Sequence, residues 1–126
     1  GINKQDIDDK KYFIKMSGNA TFKVAVKRMA DVISEALEFN GLSMEEVGLL
    51  VPHQANERII RAVAERLKYP MDKVFMNIHK YGNTSAASIP IGIDEAKRNG
   101  RIQPGAISVL GVVGAGLTWG SAVIKW

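Results

Sequence analysis

A chain of 126 residues, 46% of them hydrophobic, is long enough to bury roughly two-thirds of its unfolded surface around one core, and it has no apolar run of membrane-spanning length. It contains no cysteine, which excludes disulfides, thiolate metal sites and a cysteine nucleophile within this sequence. Its formal charge of +4 is mild and interleaved in sign, so it predicts an ordinary solvated surface or a docking face for an acidic partner, not the dense basic stripe of a nucleic-acid binder.

The start, GINKQDIDDKK, is charged where a signal peptide would be apolar; it reads as a flexible segment over 1–11 of a cytoplasmic protein with no membrane association. YFIKM (12–16) predicts a short strand. Gly18 and Asn19 mark a helix entry, because asparagine caps free amides. A long amphipathic helix follows, with Phe22, Val26, Met29, Ile33 and Leu37 on one face and Lys23, Lys27, Asp31, Glu35 and Glu38 turned away; Asn40-Gly41 closes it. Ser43 with Glu46 forms a capping box over a short turn. GLLV (48–51) has the continuous apolar character of a strand buried on both faces.

A second amphipathic helix, from Ala55 to Leu67, buries Ile59, Ile60, Val63 and Leu67 and is ended by Pro70. VFMNI (74–78) predicts a third strand, and after HKYGN a third helix runs from Ser85 to Arg98. The first half of that helix, SAASIPIGI, carries no charge and is interrupted by Pro90 and Gly92, both costly in an exposed helix, so it is expected to be buried all round. After the turn at Pro104-Gly105, AISVLGVVG (106–114) and LTWGSAVIKW (117–126) predict adjacent strands joined through Gly114-Ala115-Gly116. The order βαβαβαββ implies an α/β layer with a mainly parallel sheet.

Three stretches bear on chemistry. In VPHQAN (51–56), His53 stands between a buried strand and a helix, where open α/β sheets place ligands; a satisfied structural histidine explains it equally well. In YGNTSAAS (81–88), Asn83 is either a helix cap or a polar group presented inside a packed core. If the two junctions face one crevice, His53 and Asn83 converge as neutral hydrogen-bond donors around a single oxygen atom. His79 lies in a polar loop with no carboxylate at metal-ligand spacing and reads as a surface or structural residue. In GVVGAGLTWG (111–120) a strand follows where a dinucleotide fingerprint needs a helix, so the glycines serve close backbone approach or positive φ. Ser85, Ser88 and Ser121 lie in no G-x-S-x-G elbow and make poor nucleophiles. Arg58, Arg61, Arg66 and Lys68 alternate with Glu57 and Glu65, too sparse a basic set for nucleic acid.

Together VPHQAN, its spacing to YGNTSAAS, DEAKRNGRIQPG and GAGLTWGSA closely resemble the carboxy-terminal half of the β-ketoacyl-acyl carrier protein synthase III family. GNATFKVAVKRMA looks like that family's GN-x-x-FK-x-AV segment. The resemblance covers 12–126 and implies one half of a thiolase-like fold, with a five-stranded mixed sheet and helices on both faces. It matches His53 and Asn83 to the histidine and asparagine of the family's Cys-His-Asn triad, and the absent cysteine to a missing amino-terminal half, so that this piece alone is inactive and exposes an apolar face. It further implies that Gly18, Asn19, Phe22, Ala55, Asn56 and Ile59 line the pantetheine arm of coenzyme A or acyl carrier protein. Lys23 and Arg58 match carrier-protein docking positions, and Ala115 the loop whose amide helps form an oxyanion hole. Val113 departs from the family's usual phenylalanine. The substrates implied are acyl-CoA and malonyl-ACP, with no cofactor or metal, and the full-length protein is implied to be a homodimer. Alternatives are a cysteine-free thioester or carrier-protein binding domain and half of a polyketide-type condensing enzyme.

Overall fold

The computed structural model describes residues 3–9 and 18–126, so the strand expected over 12–16 lies outside the described residues. Within the amino-terminal segment, Lys4–Asp8 forms a short helix α1, capped by Asn3, whose Oδ1 accepts from the Asp6 amide at 2.9 Å.

Helix α2 (Gly18–Phe39) buries Ala25, Met29, Ala30, Ile33 and Leu37, the expected stripe, with Phe22 and Val26 packed at its margin. It starts at Gly18, so Asn19 lies inside the first turn and not ahead of it. Gly41 closes the helix at φ 65°, and the Leu42 amide reaches back to the Leu37 carbonyl at 2.9 Å. A 3₁₀ turn at Met44–Glu46 is held by Glu46 Oε2, which accepts from the Ser43 amide at 2.8 Å.

Strand β1 (Leu49–Pro52) is buried at every position. Helix α3 (Glu57–Arg66) follows, with Ile59, Ile60, Val63 and Ala64 inward. It ends before Pro70 is reached: Lys68 takes φ 53° and the Tyr69 amide donates to the Ala64 carbonyl at 2.8 Å, a left-handed closure two residues earlier than the proline requires. Tyr69 is buried, and its hydroxyl donates to the Val47 carbonyl at 2.7 Å. Burial pushes its pKa up to about 12. Tyr69→Phe keeps the ring and leaves that carbonyl without its donor, and is expected to lower stability by about 1 to 2 kcal/mol in urea unfolding.

VFMNI departs from the expectation of a full strand. It meets β1 in one parallel bridge, Leu50 with Val74, and one hydrogen bond, Phe75 N–H to the Leu50 carbonyl at 2.8 Å. The chain then turns into helix α4 (Ile78–Tyr81) because the amides of Asn77 and Ile78 are taken by the Gln54 side chain. After a 3₁₀ turn at Ser85–Ala87, helix α5 (Ser88–Arg98) buries only the stripe Ser88, Gly92, Ala96. A Cβ at Gly92 would meet Phe75 and Val51 at 3.2 Å, so the small residues serve close approach to β1. The expectation of burial all round is therefore corrected: the helix covers the sheet on one side, and Pro90 on it and Ala86 and Ala87 in the turn before it are left exposed by the described residues.

Strands β2 (Ile107–Gly114) and β3 (Thr118–Lys125) complete a sheet of order β1-β2-β3, with β1 parallel to β2 and β2 antiparallel to β3. The described residues thus form a three-stranded mixed sheet, not the five strands expected. One face carries α2 and α3 over Leu50 and Val109; the other carries α5 over Leu49, Val51 and Phe75. Successive β1 side chains enter opposite layers, which is why this strand has no polar position.

Candidate active site

The parallel pairing of β1 with β2 brings their carboxyl ends to one edge of the sheet. Beyond Pro52 the His53 amide donates to the Gly111 carbonyl at 2.7 Å, continuing the ladder one residue past the strand. Gly111 itself is pressed under α2, where a Cβ would stand 2.6 Å from Ile33 Cδ1. The backbone of His53 is thereby registered against β2 and, through it, against α2.

Next to it, Gln54 is buried, 1% exposed, with both ends of its carboxamide engaged. Its Nε2 donates to the carbonyls of Pro52 at 3.0 Å and Phe75 at 3.3 Å. Its Oε1 accepts from the amides of Asn77 and Ile78, each at 3.0 Å. One side chain thus ties the end of β1 to the segment that carries α4 and Asn83. The buried Asn77 carboxamide donates to Glu95 Oε2 at 2.9 Å, anchoring the same segment to α5, and Lys80 pairs with Glu95.

Asn83 is not the cap of α5. Its Oδ1 accepts from the Ser85 amide at 2.9 Å and its Nδ2 donates to the Ala55 carbonyl at 3.3 Å. The oxygen is committed to the turn, so the orientation of the amide is fixed. Of the two Nδ2 hydrogens, one serves Ala55 and the other is left over. Ser85, through which the turn passes, holds φ 52°, a left-handed conformation uncommon for a residue with a Cβ.

His53, Asn83 and Ala115 border one cavity of about 550 Å³, walled also by Ser85, Ile89, Val112, Val113 and Trp119. His53 and Asn83 thus border the same cavity, although the junction ahead of Asn83 is a helix and not a strand. Burial pushes the His53 imidazole below its usual pKa, and a hydrogen bond with the Ser85 backbone opposes that shift. An unfolded histidine titrates near 6.5. Above that pH the ring is neutral in both states and the contribution to stability is complete. As pH falls, the unfolded chain takes a proton that the folded chain resists, and stability is lost until the folded ring protonates as well. His53→Gln is expected to flatten this acid limb, measured as urea midpoints across about pH 7.5 to 4.5.

The other expected site residues lie outside the walls of this cavity. Phe22 is half-buried on α2, with the Arg58 guanidinium over its ring at 5.4 Å. Lys23 and Arg58 are exposed on neighbouring helices. Ala55 reaches the site only through its carbonyl. Asn56 caps α3 by accepting from the Ile59 amide at 3.1 Å, and Ile59 is buried in the core. Gly18 and Asn19 belong to the first turn of α2. His79 is exposed on α4, as the polar loop had indicated. Sequence reasoning missed Gln54 and the backbone role of Ser85. The first was signalled only by an amide next to a candidate histidine, the second by nothing local.

Comparison with known proteins gives one family: the model for the carboxy-terminal part of 3-oxoacyl-[acyl-carrier-protein] synthase III matches residues 37–126. β-Ketoacyl-[acyl-carrier-protein] synthase III of Actinobacillus pleuropneumoniae is 50% identical over 119 residues, which are 94% of this chain and 38% of that protein. The crystal structure of the Aquifex aeolicus enzyme is 51% identical with a TM-score of 0.88, covering 90% of this chain and 37% of its own. The Pseudomonas aeruginosa structure is 38% identical with a TM-score of 0.90, covering 100% and 39%. A priming β-ketosynthase from a polyketide biosynthetic pathway is 32% identical with a TM-score of 0.83, covering 96% and 37%. The chain thus spans less than two-fifths of the length of these relatives.

Proposed function

From the premise that this chain belongs to the 3-oxoacyl-[acyl-carrier-protein] synthase III family, as a part of its carboxy-terminal region, we propose that it completes the active site of a condensing enzyme that joins an acyl-CoA primer to malonyl-ACP. The reading rests above all on the common cavity of His53 and Asn83. In the reaction, a cysteine on the amino-terminal half of the same enzyme carries the primer as a thioester. The malonyl carbon–carboxylate bond breaks, carbon dioxide leaves, and the electron pair moves toward the thioester carbonyl as an enolate. The carbanion carbon then bonds to the primer carbonyl, and the cysteine thiolate is expelled.

Negative charge gathers on the malonyl thioester oxygen only as the carboxylate departs. Donors aimed at that oxygen stabilise the transition state more than the bound substrate. Asn83 has an amide hydrogen left over for this, and His53 is the second donor. The Ala115 amide, in the loop between β2 and β3, serves the oxyanion of the cysteine-bound acyl group. Lys23 and Arg58, exposed and cationic, dock the acidic carrier protein. Phe22, Ala55, Asn56 and Ile59, with Gly18 and Asn19, form the pantetheine channel leading inward. Val113 and Ile89 border the cavity and shape the acyl pocket.

On this reading the domain is one half of a thiolase-like fold, acts in the cytoplasm within a homodimer, and is inactive alone because it carries no cysteine. Tyr81, Leu117 and Trp119 are exposed on segments next to the cavity, in keeping with an apolar face that the amino-terminal half covers. The test is to supply the intact protein with labelled acetyl-CoA and malonyl-ACP. Formation of a β-ketoacyl-ACP with release of carbon dioxide is expected; binding of carrier protein without any product sinks the enzymatic reading in favour of a binding domain.

A further inference from the structure

Gly120 stands in the interior of β3, paired with Val112 of β2, and borders the cavity of His53 and Asn83. Glycine inside a strand costs stability, and it marks a bulge or the close approach of a ligand or another backbone. The register of β2 with β3 runs unbroken from Ile107 to Gly114, so there is no bulge. Conformation does not ask for glycine either, since the positive φ values fall at Gly41, Gly82, Gly100, Gly105 and Gly116. Nor does packing among the described residues: a Cβ on Gly120 would meet only Val112 Cγ2, at 3.7 Å, an ordinary contact. Gly111 is the opposite case, with Ile33 Cδ1 at 2.6 Å from where its Cβ would stand. Side chains alternate along β2, so Val112 shares the face of Leu110, which packs in one layer with Ile89 of α5. Cross-strand partners share a face as well. Gly120 is therefore a gap beside Val112 in a floor that Ile89 overhangs, and the gap opens into the cavity.

We infer that Gly120 is a specificity-determining residue, whose missing side chain leaves room beside Val112 and Ile89 for the alkyl chain of a primer longer or more branched than acetyl. The inference rests on the condensing reading and deepens it. Chemistry selects the occupant. No Lys, Arg, Asp or Glu among the described residues borders the cavity, so its walls offer nothing to the malonyl carboxylate or to the phosphates of coenzyme A, which would lose their hydration there. The alkyl tail of the primer is the one part of either substrate that is apolar throughout, and Ile89 and Val112 are matched to it. In the loading step the thioester bond to coenzyme A breaks, one to the cysteine forms, and the cysteine proton leaves with the coenzyme A thiol. The primer carbonyl must then lie within bonding reach of the carbanion held at His53 and Asn83, so its tail extends into the space that those two residues border.

The experiment gives the intact protein acetyl-, isovaleryl- and hexanoyl-CoA with malonyl-ACP and compares kcat/KM for the three primers. The parent is expected to use all of them. Gly120→Ala is expected to cut the ratio of isovaleryl or hexanoyl to acetyl by about 10-fold or more, the usual weight of one methyl group in an apolar pocket, while acetyl itself changes by less than about 3-fold. Gly120→Val is expected to widen the gap. Because a Cβ has room here, the alanine variant should melt in urea at or above the parental midpoint; an alanine variant that unfolds would show that packing requires the glycine, and overturns the inference. A parent that takes acetyl alone overturns it too, as does a folded alanine variant with unchanged ratios. Equal losses on all three primers would assign the glycine to close approach of the amino-terminal half. The same variants are titrated by calorimetry with acetyl-sized and longer S-alkyl thioethers of coenzyme A, which bind without transferring a group. A protein that forms no product with any primer sinks the condensing reading, while the relative affinities for short and long thioethers still decide the role of Gly120.

Discussion

Alanine at His53 or at Asn83 is expected to lower the decarboxylation rate of the intact protein by about 10²- to 10³-fold, the usual effect of removing one donor from a developing oxyanion. The magnitude follows from where the charge appears. Before bond cleavage the malonyl thioester oxygen is a neutral carbonyl, which gains little from either donor; in the transition state it approaches an enolate oxygen in a cavity with apolar walls such as Ile89, Val112 and Val113. The effect should therefore fall on kcat more than on KM. Because both donors serve one atom, the double alanine variant should lose far less than the product of the single losses. Asn83→Asp separates two roles of the side chain: it keeps an oxygen for the Ser85 amide but has no N–H to give. It should be as slow as Asn83→Ala although the turn survives. Release of labelled carbon dioxide from malonyl-ACP at the parental rate in any of these variants removes that residue from the mechanism.

The second large effect is structural. Gln54→Leu, close to isosteric, is expected to destabilise the protein by about 1 to 4 kcal/mol, since the buried Asn77 amide loses its acceptor at about 1 to 3 kcal/mol and the partly buried Ile78 amide loses one at a smaller cost. Those amides belong to Asn77 and Ile78, where the chain leaves the edge of β1 for α4. Two carbonyls, of Pro52 and Phe75, lose their donor in the same step. A leucine satisfies none of the four groups, and burial keeps water from all but the partly buried Ile78 amide. The loss is measurable as a lowered urea midpoint. The His53 backbone adjoins the vacated link, so the variant should also lose activity at temperatures where it remains folded. A midpoint within about 0.5 kcal/mol of the parent, the range of ordinary surface changes, would mean that these hydrogen bonds do not hold the segment.

Much of the fold is legible as periodicity. The stripe Met29, Ile33, Leu37 on α2 and the set Ile59, Ile60, Val63 on α3 recur at helical spacing and are buried where that spacing puts them. The unbroken apolar run of β1 is a strand covered on both faces. The paired strands at the carboxy terminus lie within the expected ranges and are joined through Gly114-Ala115-Gly116. The place of His53 at the sheet's carboxyl edge was legible because it directly follows a doubly buried strand, while its sequence context left a site residue and a satisfied structural histidine equally open. The segment 74–78 was misread: Val74 and Phe75 are buried like strand residues, but strand continuation is a matter of which amides find which carbonyls, and Gln54, more than twenty residues earlier, competes for them. The small-residue half of α5 was misread in the opposite sense, since closeness to β1 at Gly92 requires small residues on one side of a helix only.

The amino-acid order by itself determined which faces of the helices are apolar, where the chain turns, and which polar residues stand at the edge of the sheet. All of these depend on neighbours within a turn or a strand. Tertiary structure alone decided that Asn83 meets the Ala55 carbonyl across 28 positions, that Gln54 ends a strand it does not belong to, and that His53 and Asn83 border one cavity. Hydrophobic burial is a property of single positions and leaves a periodic trace. A hydrogen bond between distant residues is a property of pairs, and it exists only once packing has brought donor and acceptor within 3 Å or so of each other.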